Sequence, residues 1–561
     1  MKSKIRLMGI IMLSLMIQPV FAQESAFSDT ATAPKDWYLR DPEIDRVQGV
    51  SAERAYNELL KDRQSRTVLV AVIDSGVDSE HEDLKDVMWI NEDEIPGNGI
   101  DDDNNGYVDD IHGWNFIGGK DGRNVNEDSY EVTREFVRLK PKYENIDEKT
   151  IKKKQRGEFE YWQRVKAKYE NDSKHSAAQL KKYEDQYMVY SQAYANIKFC
   201  DSLLSAKTGA PLTKSSIAAI QADNDTINNA KAYLTKIFDN YKEDVVVAEF
   251  LEELGAGVEQ LKGGVDHYKT AVEFGYNTEF DSRTIVGDDP NKLDEKGYGN
   301  NDVKGPDAMH GTHVAGIIAA NRKNDIGVKG IADNVRIMSV RAVPNGDERD
   351  KDVANAIIYA VDNGAQVINM SFGKSFSPNK EYVDKAVQYA ESKGVLLIHA
   401  AGNDGRNLDN DYNYPTKKLA KDKEAKYWIE VGASSWGANE DFVGSFSNYG
   451  KKSVDVFAPG VEIFSTTPDN TYTELQGTSM ASPATAGVAA VILSYFPHLT
   501  PAQVKDIIQQ STRKFDGLKV TKPGKSGEEV QFRELSTSGG LVNVYEAVKL
   551  AMTYKAVPLN K

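Results

Sequence analysis

Residues 67–74 read TVLVAVID, a run of apolar and β-branched side chains that ends on the carboxylate of Asp74. A run this short, apolar at nearly every position, reads as a strand buried on both faces. Similar runs recur at 335–343, 367–372, 395–401, 428–433 and 454–457, and helix-period patterns fall between several of them, at 352–362 and 381–392. Buried strands separated by helices predict an α/β fold, a mostly parallel sheet with helices on both faces. In such sheets chemistry gathers at the carboxyl ends of the strands, which is where Asp74 falls.

A different kind of sequence fills 125–281. It is rich in Lys, Glu, Tyr and Ala. Tyr183, Tyr187, Tyr190, Tyr194 and Ile197 recur at spacings of three and four, as do Trp162, Val165 and Tyr169 upstream and Ile227, Leu234, Ile237 and Tyr241 downstream. This predicts an inserted α-helical hairpin or bundle with one apolar stripe, either internal packing or a groove for a partner. Gly209-Ala210-Pro211 marks a break between helices. A long insertion costs little, because closure entropy grows only logarithmically with loop length. The expected division is a leader at 1–22, an α/β domain in two parts, 23–124 and 282–561, and the helical insertion at 125–281.

The chain has 561 residues, 40% hydrophobic and 27% charged, with a formal net charge of −16. That length predicts more than one folding unit and a core that stands without covalent staples. The negative field repels phosphate backbones, so no nucleic-acid partner is expected. Lys2, Lys4 and Arg6 precede a mostly apolar stretch at 7–17, and Val20-Phe21-Ala22 fits a cleavage site. Residues 1–22 therefore read as a signal peptide, with an uncleaved anchor as the alternative. The expected location is secreted or periplasmic. No membrane span is expected in the mature chain, since no other run approaches ~20 apolar residues. The single cysteine, Cys200, has no internal disulfide partner and reads as a small buried side chain rather than a nucleophile.

Three segments carry candidate chemistry: Val72-Ile73-Asp74-Ser75-Gly76-Val77-Asp78, His310-Gly311-Thr312-His313-Val314-Ala315-Gly316 and Gly477-Thr478-Ser479-Met480-Ala481-Ser482-Pro483. Ser479 opens a small-residue stretch that reads as a buried helix, with Pro483 tolerated in its first turn. A serine there is either a plain helix cap or a nucleophile whose backbone N–H faces a developing oxyanion. His310 starts another helix, from which an imidazole can act as general base; His310 and His313 as metal ligands is the alternative, and no third ligand is evident. His313 reads as a packed or hydrogen-bonded neighbour. Asp74 is placed to hold the imidazole's tautomer. Asp78, Glu80 and His81 just beyond read as surface groups.

These three segments, in the order Asp, His, Ser, resemble the signatures of the subtilisin-like serine peptidases. The resemblance implies a catalytic triad of Asp74, His310 and Ser479. His399-Ala400-Ala401-Gly402-Asn403 resembles the segment whose asparagine donates to the oxyanion, which implies Asn403, against the plainer reading of a turn residue. Ser371-Phe372-Gly373 resembles the edge that pairs with an extended peptide, with 341–344 as the opposite wall. Ala401, Gly402 and Asn413 join these as implied substrate-binding residues. Asn413 would sit near the base of the main side-chain pocket, and a neutral residue there hints against a strict charged-residue preference. The resemblance covers roughly 35–120 and 282–555. It leaves 125–281 unexplained, and residues 23–66 leave no room for the N-terminal pro-domain usual in that family. The insertion or a bound metal is expected to supply some of that folding help.

Residues 98–110 read NGIDDDNNGYVDD. Asp101, Asp103 and Asn105 alternate before Gly106, followed by Tyr107, Asp109 and Asp110. Alternating oxygen donors with a turn glycine suggest a structural calcium loop related to the first half of an EF-hand, against the alternative of a solvated acidic turn. The function expected from all of this is a secreted serine endopeptidase acting on protein or peptide substrates through an acyl-enzyme. The alternatives are a narrow-specificity maturation protease with a partner docked on the insertion, a non-catalytic binding protein on the same fold, and a scaffold whose helices do the work.

Overall fold

The computed structural model describes residues 33–554. The expected leader at 1–22 lies outside them. Among the described residues no helix is long and apolar enough to cross a membrane. Residues 163–277 form one compact unit, inside the 125–281 stretch, and the rest of the described chain forms the other.

The larger unit is built on nine strands: β1 Val68–Asp74, β2 Gly113–Asn115, β3 Val335–Arg341, β4 Val367–Met370, β5 Leu396–Ala400, β6 Trp428–Ser434, β7 Val456–Pro459, β8 Arg513–Lys514 and β9 Gly540–Leu541. They lie in the order β8-β9-β7-β6-β5-β4-β1-β3-β2. All neighbours are parallel except the edge pair β8–β9. The predicted mostly parallel α/β fold is what forms.

Eight helices matter for the argument: α1 Glu131–Tyr143, α2 Arg156–Thr208, α3 Asp225–Phe238, α4 Val247–Thr270, α5 Met309–Ala319, α6 Asp350–Asp362, α7 Lys380–Ser392 and α8 Thr478–Tyr495. The continuous apolar text of β1 has a simple cause. Val68, Val70 and Val72 face one core with Val314, Ile317, Met480 and Ala484 of α5 and α8. Ala71 and Ile73 face the other with Val353, Ile357, Val383 and Val387 of α6 and α7. Each fully buried Val or Ile contributes about 1.5–3 kcal/mol, so both faces of the strand must be apolar. The helices that begin near His310 and Ser479 thus share one face of the sheet.

In the smaller unit, Ile197, Leu204, Leu234, Phe238, Phe250 and Leu254 of α2, α3 and α4 form the core. The tyrosine stripe is partly internal packing: Tyr183 stacks on Tyr268 at 5.5 Å between ring centroids. A side chain at Gly264 would come within 2.4 Å of the Tyr183 ring, so glycine there lets the two helices approach. Helix α2 ends at Thr208, and Gly209 turns the chain at φ +67°, as the Gly-Ala-Pro text predicts. Cys200 is buried on α2, and burial pushes its thiol pKa up, which keeps it inert.

Candidate active site

Strand β1 delivers Asp74 to its carboxyl end, 2% exposed. Its Oδ1 accepts from the Ser75 N–H at 2.8 Å and pairs with His310 Nδ1 at 2.7 Å. His310 reaches it because α5 runs very close to the end of β1. A Cβ on Gly311 would fall 2.1 Å from the Gly76 carbonyl oxygen, so only glycine can follow His310 here. Burial works to lower the His310 pKa, but the Asp74 carboxylate outweighs it and holds the pKa above the ordinary histidine value. With Nδ1 committed to Asp74, Nε2 is the nitrogen left to take a proton. His313 has another job. Its Nε2 lies 2.9 Å from the Ile463 carbonyl and 3.2 Å from that of Thr473, and burial lowers its pKa to about 4, fixing it as a neutral hydrogen-bonded neighbour.

Ser479 is the second residue of α8. Its hydroxyl donates to the Ser371 carbonyl at 3.0 Å, and the Ser371 hydroxyl donates back to the Ser479 carbonyl at 2.8 Å. The sequence explains why that carbonyl is free. In a helix the N–H four residues on would claim it, and that residue is Pro483. Pro483 therefore sits in the second turn, not the first as expected, and its missing donor has a use. Asn369 of β4 supports the pair, donating to the Ser371 hydroxyl at 2.9 Å and accepting from the Ser482 hydroxyl at 2.8 Å.

Asn403 follows β5. Its Oδ1 accepts from the Thr478 N–H at 2.9 Å and the Thr478 hydroxyl at 3.0 Å, which fixes the amide with Nδ2 as the outward donor. As the second helical residue, Ser479 has no preceding turn to take its N–H. A Cβ built on Gly477 lies 3.4 Å from Asn403 Nδ2 and 3.6 Å from the Ser479 nitrogen, so both donors border one point beside the serine. Two donors that face one developing oxyanion can stabilise it. Asn448, which sequence reasoning missed, holds this loop. It donates to the Ala401 carbonyl at 2.8 Å and accepts from the N–H groups of Asp404 and Arg406 at 3.2 and 2.7 Å.

The expected substrate residues form two walls. Ser371-Phe372-Gly373 runs on from β4, and Ala401-Gly402 from β5. The Asn413 amide wedges between them, donating to the Ala400 carbonyl at 3.0 Å. A Cβ on Gly373 would fall 2.3 Å from Asn413 Oδ1, and one on Gly402 3.2 Å from its Nδ2. The Asn413 amide thus packs against both Gly373 and Gly402, between the two segments. Asp78 and His81 differ from expectation, for both are buried while Glu80 is exposed. Asp78 accepts from Lys304 Nζ at 3.0 Å and the Asp469 N–H at 2.9 Å, and His81 Nε2 lies 3.2 Å from the Thr471 carbonyl. The Asp469 and Thr471 bonds tie the Asp74 loop to the hairpin at 463–475 that follows β7.

The acidic loop closes on itself. Carboxylate oxygens of Glu94, Asp101 and Asp103 lie within 4.8 Å of one another. Glu94, outside the loop text, was not foreseen. Its Oε1 accepts from the Asp102 N–H at 2.8 Å and its Oε2 from the Asp109 N–H at 2.9 Å. Asp109 accepts from the Asn98 and Gly99 N–H groups. Asp110 binds Asn91, Asn105 and the Tyr359 hydroxyl, and the Asn105 oxygen takes the Tyr107 N–H. A set of carboxylate oxygens suits a hard cation such as calcium.

Residues 65–533 match the family described as the subtilase family, Peptidase_S8. The chain is 43% identical over 209 residues to the thermophilic serine proteinase of Bacillus sp. strain AK1, a match covering 37% of this chain and 48% of that one. It is 42% identical over 201 residues to subtilisin DY of Bacillus licheniformis, covering 35% and 68%. To thermitase of Thermoactinomyces vulgaris it is 42% identical over 186 residues, covering 33% and 61%. The chain thus spans about half to two thirds of the length of these relatives. The matched span takes in Asp74, His310, Asn403 and Ser479 together, and the chain belongs to the subtilase family.

Proposed function

We propose that this protein is a serine endopeptidase that cuts extended polypeptides through an acyl-enzyme, with Asp74, His310 and Ser479 as triad. The observation that carries this reading is the 2.7 Å pair between His310 Nδ1 and Asp74, with the Asn403 amide nitrogen and the Ser479 nitrogen both close to Gly477. In the resting arrangement the serine hydroxyl leans on the Ser371 carbonyl. With substrate bound it turns to His310 Nε2, which takes its proton as the oxygen attacks the peptide carbonyl. The developing oxyanion is met by Asn403 Nδ2 and the Ser479 N–H. His310, now charged and stabilised by Asp74, passes the proton to the leaving amine, and water then releases the acyl group by the same route. The substrate lies as an added strand along Ser371–Gly373, its main side chain pointing toward Asn413.

The wider reading is an exported enzyme, from the leader-like text at 1–22, whose fold is steadied by calcium at Glu94, Asp101 and Asp103. Subtilases generally bind structural calcium, and the all-oxygen donor set suits it. Such an ion would neutralise the crowded carboxylates and hold the loop. The helical stretch at 125–281 is an insertion into this enzyme.

The test is labelling with a fluorophosphonate. Covalent labelling of the wild type that Ser479→Ala abolishes, with cleavage of casein lost in parallel by about 10⁶-fold, is the expected result. A folded, calcium-loaded wild type that takes no label sinks the proposal.

A further inference from the structure

Just past Gly373, a side chain ties this segment to the one that follows 341–344, the wall expected opposite it. Lys374, its side chain 2% exposed, sends its ammonium across to the Glu348 carbonyl at 2.6 Å. Glu348 lies on the continuation of the opposite wall, four residues beyond Pro344. The same ammonium pairs with Glu131 at 2.7 Å and Asp350 at 2.8 Å. Arg134 completes the cluster, pairing with Glu131 at 2.8 Å and donating to the Asp347 and Glu348 carbonyls at 3.1 and 3.3 Å. Asp347 in turn caps the Glu131 N–H at 2.8 Å. Burial works against ionising Glu131, but Arg134 and Lys374 overcome it and hold its pKa at about 2.

The register of the cleft follows from strand geometry. Ser479 touches the Ser371 carbonyl, so Ser371 is level with the residue before the scissile bond. The pocket expected at Asn413 lies toward Gly373, so the substrate runs amino-ward in that direction. Each residue advances about 3.3 Å along an extended pair, and alternate residues face the partner. Gly373 therefore meets the third residue, and Lys374 stands level with the fourth. The Lys374 backbone exchanges hydrogen bonds with Tyr414 at 3.0 and 2.9 Å, while its side chain reaches the Glu348 carbonyl. The opposite wall cannot swing aside. The N–H and carbonyl of Asn345 are held by Asn126 and Asp128 at 2.8 and 3.1 Å, and a Cβ on Gly346 would fall 2.2 Å from the Asp128 carbonyl.

We propose that the cleft holds three substrate residues before the scissile bond, and that the ion cluster of Lys374, Glu131, Arg134 and Asp350 fills the place of the fourth. This rests on the peptidase reading above. Lys374, immediately after the cleft wall, is on this account the residue that sets substrate length. Glu131 and Arg134 of α1, in the stretch the family resemblance leaves unexplained, hold it there. What precedes the third residue then leaves the cleft and contributes nothing to recognition.

Acetylated peptide 4-nitroanilides of one to five residues test this. In the wild type, kcat/KM rises up to the third residue and changes less than about twofold with a fourth, whether Ala, Phe or Lys. The variant Lys374→Gly/Glu131→Gln/Asp350→Asn removes the Lys374 bolt together with the two carboxylates that pair with it, and should gain about tenfold from Phe at the fourth place. A wild-type gain of tenfold or more from a fourth residue overturns the proposal. A second measurement needs no turnover: on Ser479→Ala protein, acetyl-Ala-Ala-Phe and acetyl-Phe-Ala-Ala-Phe should bind within twofold of each other by calorimetry. Tighter binding of the longer peptide, or no binding of either, overturns it. Equal binding beside a wild type that takes no fluorophosphonate would sink the peptidase reading and leave the three-residue cleft standing.

Discussion

Ser371 and Ser479 exchange two hydrogen bonds, each hydroxyl donating to the other's carbonyl, at 2.8 and 3.0 Å. The exchange is possible because Pro483 leaves the Ser479 carbonyl without its helical donor. Removing the Ser371 hydroxyl should lower kcat about five- to tenfold, the worth of one ordinary hydrogen bond, with KM little changed. In Ser371→Ala/Pro483→Ala the restored helical N–H takes the empty carbonyl, so the double variant should be less impaired than Ser371→Ala alone. Simple additivity in the kinetic cycle would show the two residues to be uncoupled.

Asn403 is held by Thr478 through its oxygen, so its amide nitrogen is aimed before substrate arrives. Replacing it with leucine should cost about 10²–10³-fold in kcat while KM stays within a few fold, the pattern of a donor used only in the transition state. A rise in KM with kcat intact would mean that Asn403 binds the ground state instead.

The pH profile should carry the mark of Asp74. The base must be neutral, so activity rises with pH through the His310 pKa, and Asp74 holds that pKa above the ordinary 6.5. The acid limb of kcat/KM is therefore expected on the alkaline side of pH 6.5. Asp74→Asn should move it lower and cut the rate by about 10⁴-fold. The stabilising side of the pair has the opposite sign. It is fully present below the unfolded histidine pKa and fades as pH climbs through the folded one, so Tm of the wild type should lose its advantage over Asp74→Asn on that climb. A limb that stays put in Asp74→Asn would refute the account.

Chelation should lower Tm by about 5 °C, since an ion that binds only the folded chain stabilises it by mass action. Asp103→Asn should remove most of that response without altering the active-site chemistry. A melting curve indifferent to chelator would leave Glu94, Asp101 and Asp103 as a hydrogen-bonded turn and nothing more.

The sheet could be read from the sequence because burial on both faces writes itself locally, as in Val68–Asp74, where every other side chain enters a different core. The segments around Asp74, His310, Ser371, Asn403 and Ser479 could be picked out because each motif is contiguous. What could not be read depends on contacts far apart in sequence. Asp78 and His81 look like loop polars until the hairpin after β7 folds onto them. Glu94 sits outside the acidic run it caps. Asn448 holds a loop about forty residues upstream. Lys374 follows a recognisable wall, but its partners Glu131 and Asp350 come from α1 and α6, and no local spacing announces them.

The paired serines have a consequence for the chain's own safety. The nucleophile's peptide is left one bond short by its helix and is completed from a segment 108 positions earlier. The base arrives on another helix and its carboxylate partner on a third stretch. On the proposed peptidase reading, a chain whose sheet has not yet closed carries an ordinary serine, incapable of attacking the unfolded polypeptide around it. Chemical competence comes with the completed architecture, after the segments most open to self-digestion have been put away.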